Sequence, residues 1–329
     1  MAIMHVPAVL IRRHGGVEVL EYDSINVPDP GPGEVRVQQQ AVGLNYADIY
    51  QREGAAGPHE TKSFPIVLGS QGAGVVESIG ENVYDIKVGD PVVYVHPGAY
   101  AAAKVLPAER VVPLPDGLSL ETGAASLLRG MTAEYLLHRL FVVKRGDSIL
   151  VHAAAGGMGQ LLCSWARALG ANVIGTVGSD SKREVALEHG CHHVINYRTQ
   201  DFVSEVASIT GKQGVAVVYD AVGRDVFLQS LDCLEPGGMA INFGTASGDV
   251  QAFDLQLLHA KSLSVCRPTL KTFISTPQAL RKSAAKFSQA VRDGVVSVHV
   301  SHRYALSDVR AAHLALESRA TTGSAILLP

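Results

Sequence analysis

One stretch limits the possible folds more than any other. Ser148-Ile149-Leu150-Val151-His152 reads as a buried strand, Ala153 to Gly159 as a glycine-rich turn, and Met158 to Leu169 as a helix opened by that turn. Ala154, Gly156 and Gly159 occupy the three glycine positions of a G-x-G-x-x-G pattern, with alanine in the first. Missing side chains let such a turn be tight and let its backbone approach a pyrophosphate. The helix then offers free N–H groups and the positive end of its dipole. A tight strand–helix turn without a ligand is the plainer alternative. The repeating units around it favour a dinucleotide.

The alternation continues for more than a hundred residues. Strands are expected at Asn172 to Val177, Val194 to Tyr197, Val215 to Tyr219, Met239 to Phe243 and Ser262 to Cys266. Helices are expected at Leu120 to Val142, Lys182 to His189, Phe202 to Thr210 and Val226 to Leu231. Repeated β-α-β units imply a doubly wound parallel sheet with helices on both faces. The first third differs, with short β-rich runs at Glu34 to Val42, Val67 to Ile79, Pro91 to Tyr94 and Ala99 to Leu106 between Pro and Gly turns. A long helix, Gln278 to Asp293, and a last strand, Ser324 to Leu328, are expected to return to this β-rich part. The expected architecture is α/β with two domains and a cleft between them. Residues 1–118 and 271–329 form a β-rich, barrel-like catalytic domain, and residues 119–270 form a Rossmann nucleotide-binding domain.

The second strand of the alternation ends at Val177-Gly178-Ser179, with no acid at the position that grips the ribose in NAD-selective sites. Asp180 is nearby, but Ser179-Asp180-Ser181 reads as a helix N-cap. Lys182 and Arg183 follow, and a cation there can pair with a 2′-phosphate. NADPH is the expected cofactor.

Hydrophobic residues make up 47% of the 329, enough for two cores. A net charge of −3 and the lack of a basic block give no reason to expect a nucleic-acid partner. Cys163, Cys191, Cys233 and Cys266 lie far apart with no C-x-x-C pair, which suggests reduced thiols in a cytoplasmic protein. No signal peptide or membrane span is expected.

Several blocks together resemble the zinc-independent NADPH:quinone oxidoreductases of the medium-chain dehydrogenase/reductase superfamily, the group that includes ζ-crystallin. They are Gly43 to Tyr50, Ala153 to Gly159, Ile195 to Arg198, Val218 to Gly223, Phe243-Gly244, Arg267-Pro268 and Glu317 to Gly323. The similarity runs over essentially the whole chain and implies a GroES-like catalytic domain. It implies that Gly156, Gly157, Met158 and Gly159 hold the pyrophosphate. Gly178, Ser179, Lys182 and Tyr197 would surround the 2′-phosphate, and Phe243 and Gly244 the nicotinamide ribose. Arg267 and Arg319 would touch the cofactor from the far rim. Thr132, Val222 and Gly223 complete the implied cofactor set. Asn45, Asp48 and Tyr50 would face nicotinamide and substrate. Asn45, Tyr50 and Arg129 are the expected catalytic groups.

Zinc enzymes of the superfamily carry Cys in the segment equivalent to Gly43–Asp48 and Gly-His-Glu near Gly69. Here the corresponding residues are Asn45 and Gly69-Ser70-Gln71, and neither Asn nor Ser is a competent ligand in such a site. Without a Lewis acid to stabilise an alkoxide, a saturated alcohol is a poor substrate, whereas a quinone or other conjugated carbonyl such as an enone delocalises incoming charge. Arg129 stands where relatives often have Lys, and Gly54-Ala55-Ala56-Gly57 lacks an aromatic found in several of them, so the pocket would be roomier. Plainer roles exist: a turn cap for Asn45, packing for Tyr50 and a helix cap for Arg129. His152, His192 and His193 suit packing or exposure better than metal binding, and Cys266 suits a buried strand. The alternative reaction is reduction of the C=C bond of alkenals, enones or enoyl thioesters. An alternative of another class is a non-catalytic NADPH-binding or RNA-binding crystallin-like protein. A homodimer is expected through the strand at Ser262 to Cys266, an apolar sheet edge.

Overall fold

A computed structural model describes residues 3–55, 63–318 and 321–329. The chain forms two compact units. One comprises Met1–Leu128, Thr276–Ser288 and Val298–Pro329, and the other Arg129–Ser275 and Gln289–Ser297.

The first unit contains β1 (Met4–Ile11), β2 (Glu21–Val27), β3 (Glu34–Leu44), α1 (Tyr46–Glu53), β4 (Ile66–Val67), β5 (Gln71–Ile79), β6 (Pro91–Val95), β7 (Ala103–Pro107) and β8 (Val111–Pro113). The helix α2 (Leu120–Tyr135) begins here and passes into the second unit. One sheet has the order β2-β1-β4. β3 is the longest strand and pairs antiparallel with both β5 and β7. Its alternating Val35 and Val37 are fully buried and share a core with Val9, Ile11, Leu44, Tyr94 and Leu106. That alternation is what a strand with one face on a core requires.

The second unit follows with β9 (Ser148–Val151), α3 (Gly157–Ala168), β10 (Asn172–Val177), α4 (Arg183–Glu188), β11 (His193–Asn196), α5 (Phe202–Ile209) and β12 (Val215–Asp220). α6 (Phe227–Asp232), β13 (Leu234–Asn242), β14 (Ser264–Cys266) and α7 (Leu270–Phe273) complete the run. The sheet is parallel throughout, in the order β11-β10-β9-β12-β13-β14. This is the doubly wound Rossmann arrangement, with the order reversing beside β9. β12 is buried at every residue, as expected of a strand covered on both faces.

α8 (Pro277–Arg292) leads back, and β15 (Val300–Ala305), α9 (Val309–Glu317) and β16 (Ser324–Leu328) belong to the first unit. β16 pairs parallel with β15 and antiparallel with β3, so the larger sheet runs β15-β16-β3-β5-β6-β8.

Some elements differ from the sequence reading. The two units divide at Leu128/Arg129 and Ser288/Gln289, inside α2 and α8, and at Ser275/Thr276 and Ser297/Val298, between elements. The run Val67 to Ile79 is two strands, broken where Gly69 takes a φ of +95°. A Cβ at Gly69 would collide with the Tyr100 ring. Of Ser262 to Cys266 only Ser264–Cys266 is extended. Leu255–Lys261 form 3-10 turns, and Ser262 ends them in the left-handed region at φ 53°. Cys266 is half-buried, because its strand is the last in the sheet. Helices α1 and α9 stand in segments that the sequence reading left without helices.

Candidate active site

The glycine turn sits at the C-terminal end of β9, beside the reversal of strand order. Gly156 is the N-cap of α3, so the N–H groups of Gly157, Met158 and Gly159 have no acceptor within the helix. A Cβ on Gly159 would collide with the Ala153 carbonyl oxygen and lie 2.6 Å from Ala154 Cα. Ala153 itself takes a left-handed φ of 54°, a strained conformation for a side-chain-bearing residue. Gln160 Nε2 donates to the Ala155 carbonyl at 2.9 Å and fixes the turn from behind. A cradle that has no room for a side chain and carries free amides fits a pyrophosphate.

The end of β10 brings Gly178 and Tyr197 together, and a Cβ on Gly178 would lie 2.8 Å from Tyr197 Oη. Ser179 is extended and heads the 3-10 turn Asp180–Lys182. Asp180 accepts from Asn196 Nδ2 at 3.0 Å, so the one acid nearby is held by β11. Arg183 donates to Gln200 at 3.2 Å. Lys182 is half-buried at the end of the turn.

Two further loops are organised by Asp220, a fully buried carboxylate at the end of β12. It accepts from Val222 N–H at 2.7 Å, from Gly223 N–H at 3.0 Å and from Asn242 Nδ2 at 2.8 Å. Gly223 needs its φ of +87° there. Asn242 Nδ2 also donates to the Gly244 carbonyl at 2.9 Å, and Arg267 donates to Asn242 Oδ1. Val222, Gly223, Phe243, Gly244 and Arg267 are thus arranged around a single carboxylate–amide pair. Asp220 and Asn242 were absent from the site expected from the sequence. The motif Val218 to Gly223 contains Asp220, but nothing in its spacing assigns it this part.

Arg129 and Thr132 are buried, three residues apart on α2, a spacing that puts them on one helix face. Arg129 lies in the interior of α2 and caps neither end. Arg319 lies outside the described residues, as do Ala56 and Gly57 of the segment read as lacking an aromatic.

In the first unit, Asn45 is the N-cap of α1 and forms a capping box with Asp48. The cap role considered for Asn45 is therefore realised. Asp48 Oδ2 accepts from Asn45 N–H at 2.9 Å and from Tyr100 Oη at 3.0 Å, while Oδ1 accepts from Ser70 Oγ at 2.6 Å. Tyr50 is half-buried, one helical turn from Tyr46, with ring centroids 6.2 Å apart. Ser70 also accepts from Gln51 Nε2, and Gln71 Oε1 accepts from Leu128 N–H at 2.8 Å. A Cβ on Gly43 would collide with the Ala124 carbonyl and with Gln71 Nε2. The positions that bear ligands in zinc enzymes are here bound into the protein's own hydrogen bonding. Tyr100 and His313 also join this group, and the sequence reading marked neither as functional.

Two of the histidines considered for metal binding are held by the fold. His152 is buried between Thr176 Oγ1 and Ser230 Oγ, each at 2.8 Å, and burial lowers its pKa. His192 Nδ1 accepts from Val173 N–H. Among the described residues, no three His, Cys, Asp or Glu side chains gather as a metal site would require, and no helix is long and apolar enough to cross a membrane.

These features define a two-unit, nicotinamide-type oxidoreductase architecture, and comparison with known proteins narrows it. Residues 31–139 match the alcohol dehydrogenase GroES-like domain, and residues 157–288 match a family described as zinc-binding dehydrogenase. A quinone oxidoreductase of Salmonella typhimurium is 44% identical over 322 residues, covering 96% of this chain and 98% of that protein. A 2-haloacrylate reductase of Burkholderia sp is 42% identical over 330 residues, 98% of this chain and 99% of its own length. The crystal structure of Escherichia coli quinone oxidoreductase complexed with NADPH superposes with a TM-score of 0.94 at 42% identity, covering 98% of this chain and all of that one. The chain belongs to the quinone oxidoreductase family of the medium-chain dehydrogenase/reductase superfamily.

Proposed function

We propose that the protein reduces quinones with NADPH, without zinc. The observation that carries this reading is the glycine cradle at the head of α3, in a chain that shares its fold and 42% of its residues with an NADPH-bound quinone oxidoreductase. NADPH, when bound, supplies the hydride. Gly156 to Gly159 hold its pyrophosphate, and Gly178, Ser179, Lys182 and Tyr197 surround its 2′-phosphate. Val222, Gly223, Phe243, Gly244 and Arg267 shape the nicotinamide half, Thr132 and Arg319 complete the set, and the fully buried Asp48 acts through Asn45 without touching the nucleotide.

Asn45 and Tyr50 each donate a hydrogen bond to the acceptor oxygen as charge develops, and Arg129 adds a positive field. The final proton comes from water. Catalysis rests on positioning and electrostatics. Zinc independence is supported by Ser70 Oγ and Gln71 Oε1, which are engaged by Asp48 and the Leu128 N–H.

A second reading, reduction of the C=C bond of a conjugated acid or carbonyl, is favoured by the similarity to 2-haloacrylate reductase. Turnover of NADPH with a panel of quinones against 2-alkenals and 2-haloacrylates separates the two. NADPH oxidation with quinones that survives prolonged chelation supports the first reading, and turnover of alkenes alone replaces it with the second.

The protein works as a homodimer in the cytoplasm. Exposed Leu255, Leu257 and Val265 beside the last strand of the parallel sheet support the dimer, and four free cysteines support the compartment.

A further inference from the structure

Four buried polar side chains from three distant parts of the first unit form one continuous hydrogen-bonded chain. Arg52 Nη1 lies 3.2 Å from His313 Nδ1, His313 Nε2 lies 3.1 Å from Tyr100 Oη, and Tyr100 Oη lies 3.0 Å from Asp48 Oδ2. Asp48, Tyr100 and His313 have no exposed surface, and Arg52 is 1% exposed. Arg52 is anchored by the Gly15 carbonyl and by Glu53 and Glu317.

The direction of every proton in the chain is determined. A guanidinium can only donate, so His313 Nδ1 accepts and its ring proton sits on Nε2. Nε2–H therefore donates to Tyr100 Oη, and the single Tyr100 hydrogen goes to the Asp48 carboxylate. The arrangement requires a neutral imidazole. Burial, aided by the Arg52 charge, holds His313 in that form by pushing its pKa down to about 3. The groups facing His313 are Arg52 on one side and Tyr100, with Asp48 behind it, on the other. Glu317 lies on its own helix.

Asp48 is the third residue of α1, and its carboxylate receives the Asn45 N–H directly. The geometry at the start of α1 therefore depends on a residue 265 positions further along the chain. Packing alone would not call for this device, since a buried polar chain carries a desolvation cost that apolar residues of the same volume avoid. We infer that Tyr100 and His313 are positioning residues for hydride transfer, fixing the orientation of Asn45 through Asp48. This inference rests on the proposed oxidoreductase activity.

Three variants test it. His313→Leu leaves a donor on Arg52 and an acceptor on Tyr100 unmet, Tyr100→Phe removes the donor to Asp48, and His313→Gln can still accept at one end and donate at the other. In His313→Leu and Tyr100→Phe, kcat is expected to fall about ten- to a hundredfold, the scale of a misplacement of about 1 Å. The KM for NADPH should hardly move, and His313→Gln should recover most of the rate. Amide exchange supplies a readout that needs no acceptor: Asn45 N–H should exchange faster in the first two variants and stay protected in His313→Gln. A wild-type enzyme idle with every quinone and alkene would sink the functional reading and leave the exchange experiment valid. Wild-type kcat and Asn45 exchange in a folded Tyr100→Phe would overturn the inference. So would a His313→Gln as impaired as His313→Leu. Failure of His313→Leu to fold leaves the decision with Tyr100→Phe.

Discussion

The Asp220 carboxylate accepts a hydrogen bond from the Asn242 side-chain amide at 2.8 Å, and through this pair two loops on adjacent strands are set by one buried charge. Asp220→Ala removes the acceptor for the Val222 and Gly223 amides and leaves Asn242 Nδ2 with the Gly244 carbonyl alone. Hydrogen bonds to a charged group are worth about 1.5–3 kcal/mol each. The NADPH Kd, followed by nucleotide fluorescence, should rise about tenfold or more. An unchanged Kd in a folded variant would mean that these loops do not meet the cofactor.

Lys182→Ala should weaken NADPH far more than NADH. A charge-assisted phosphate contact of about 1.5–3 kcal/mol corresponds to a rise of about tenfold or greater in the NADPH Michaelis constant. The half-buried position of Lys182 at the end of the 3-10 turn, with Asp180 held by Asn196, is consistent with such a contact. Equal effects on both cofactors would show that Lys182 does not read the phosphate.

Tyr50→Phe and Asn45→Ala should slow quinone reduction without abolishing it, by at most about 10²–10³, the range for one oxyanion-type donor. Nucleotide binding should be kept. A variant that is completely dead while still binding NADPH would reveal a true acid and refute protonation by water. A variant as fast as wild type with several quinones would make that residue a cap or a packing group.

His313 also makes a prediction about acid stability. Its ordinary pKa of 6.5 applies in the unfolded chain, while the folded value is about 3. Above pH 6.5 the ring is neutral in both states, and its full contribution to stability is present. As pH falls from 6.5 toward 3, the unfolded state takes up a proton that the native state refuses, so stability drops by up to about 1.4 kcal/mol per pH unit. Denaturant titrations between pH 7 and 4 should therefore show a steeper loss in the wild type than in His313→Gln. Parallel profiles would place the acid sensitivity in other groups.

The second unit was the more legible part of the sequence. Its strands are short apolar runs such as Val215–Asp220, buried on both faces, and the glycine turn marks the first of its crossovers. The first unit was harder to read. The inner face of α1 carries Asp48 and Arg52, two charged residues that disguise a buried helix face as an exposed one. β15 alternates between half-buried and exposed residues, so no apolar stripe announces it. The cofactor glycines stand in local motifs that a reader can find, whereas the partnership of Tyr100 with His313 spans 213 residues and has no local signature. Ser262 precedes the apolar Leu263 and so invites extension of the strand, but its left-handed backbone ends the preceding turns.

The pairing of β16 with β3 also bears on biosynthesis. The nucleotide-binding unit can gather its six strands once Cys266 has left the ribosome. The β-rich unit cannot close then, because the edge of β3 from Val42 to Leu44 stays open until Ala325 to Leu327 arrive. Throughout that interval a nascent chain presents unsatisfied amides and carbonyls beside an apolar core, the surface on which wrong strand pairing begins. The order of synthesis thus makes the β-rich unit, though begun first, the last to be finished.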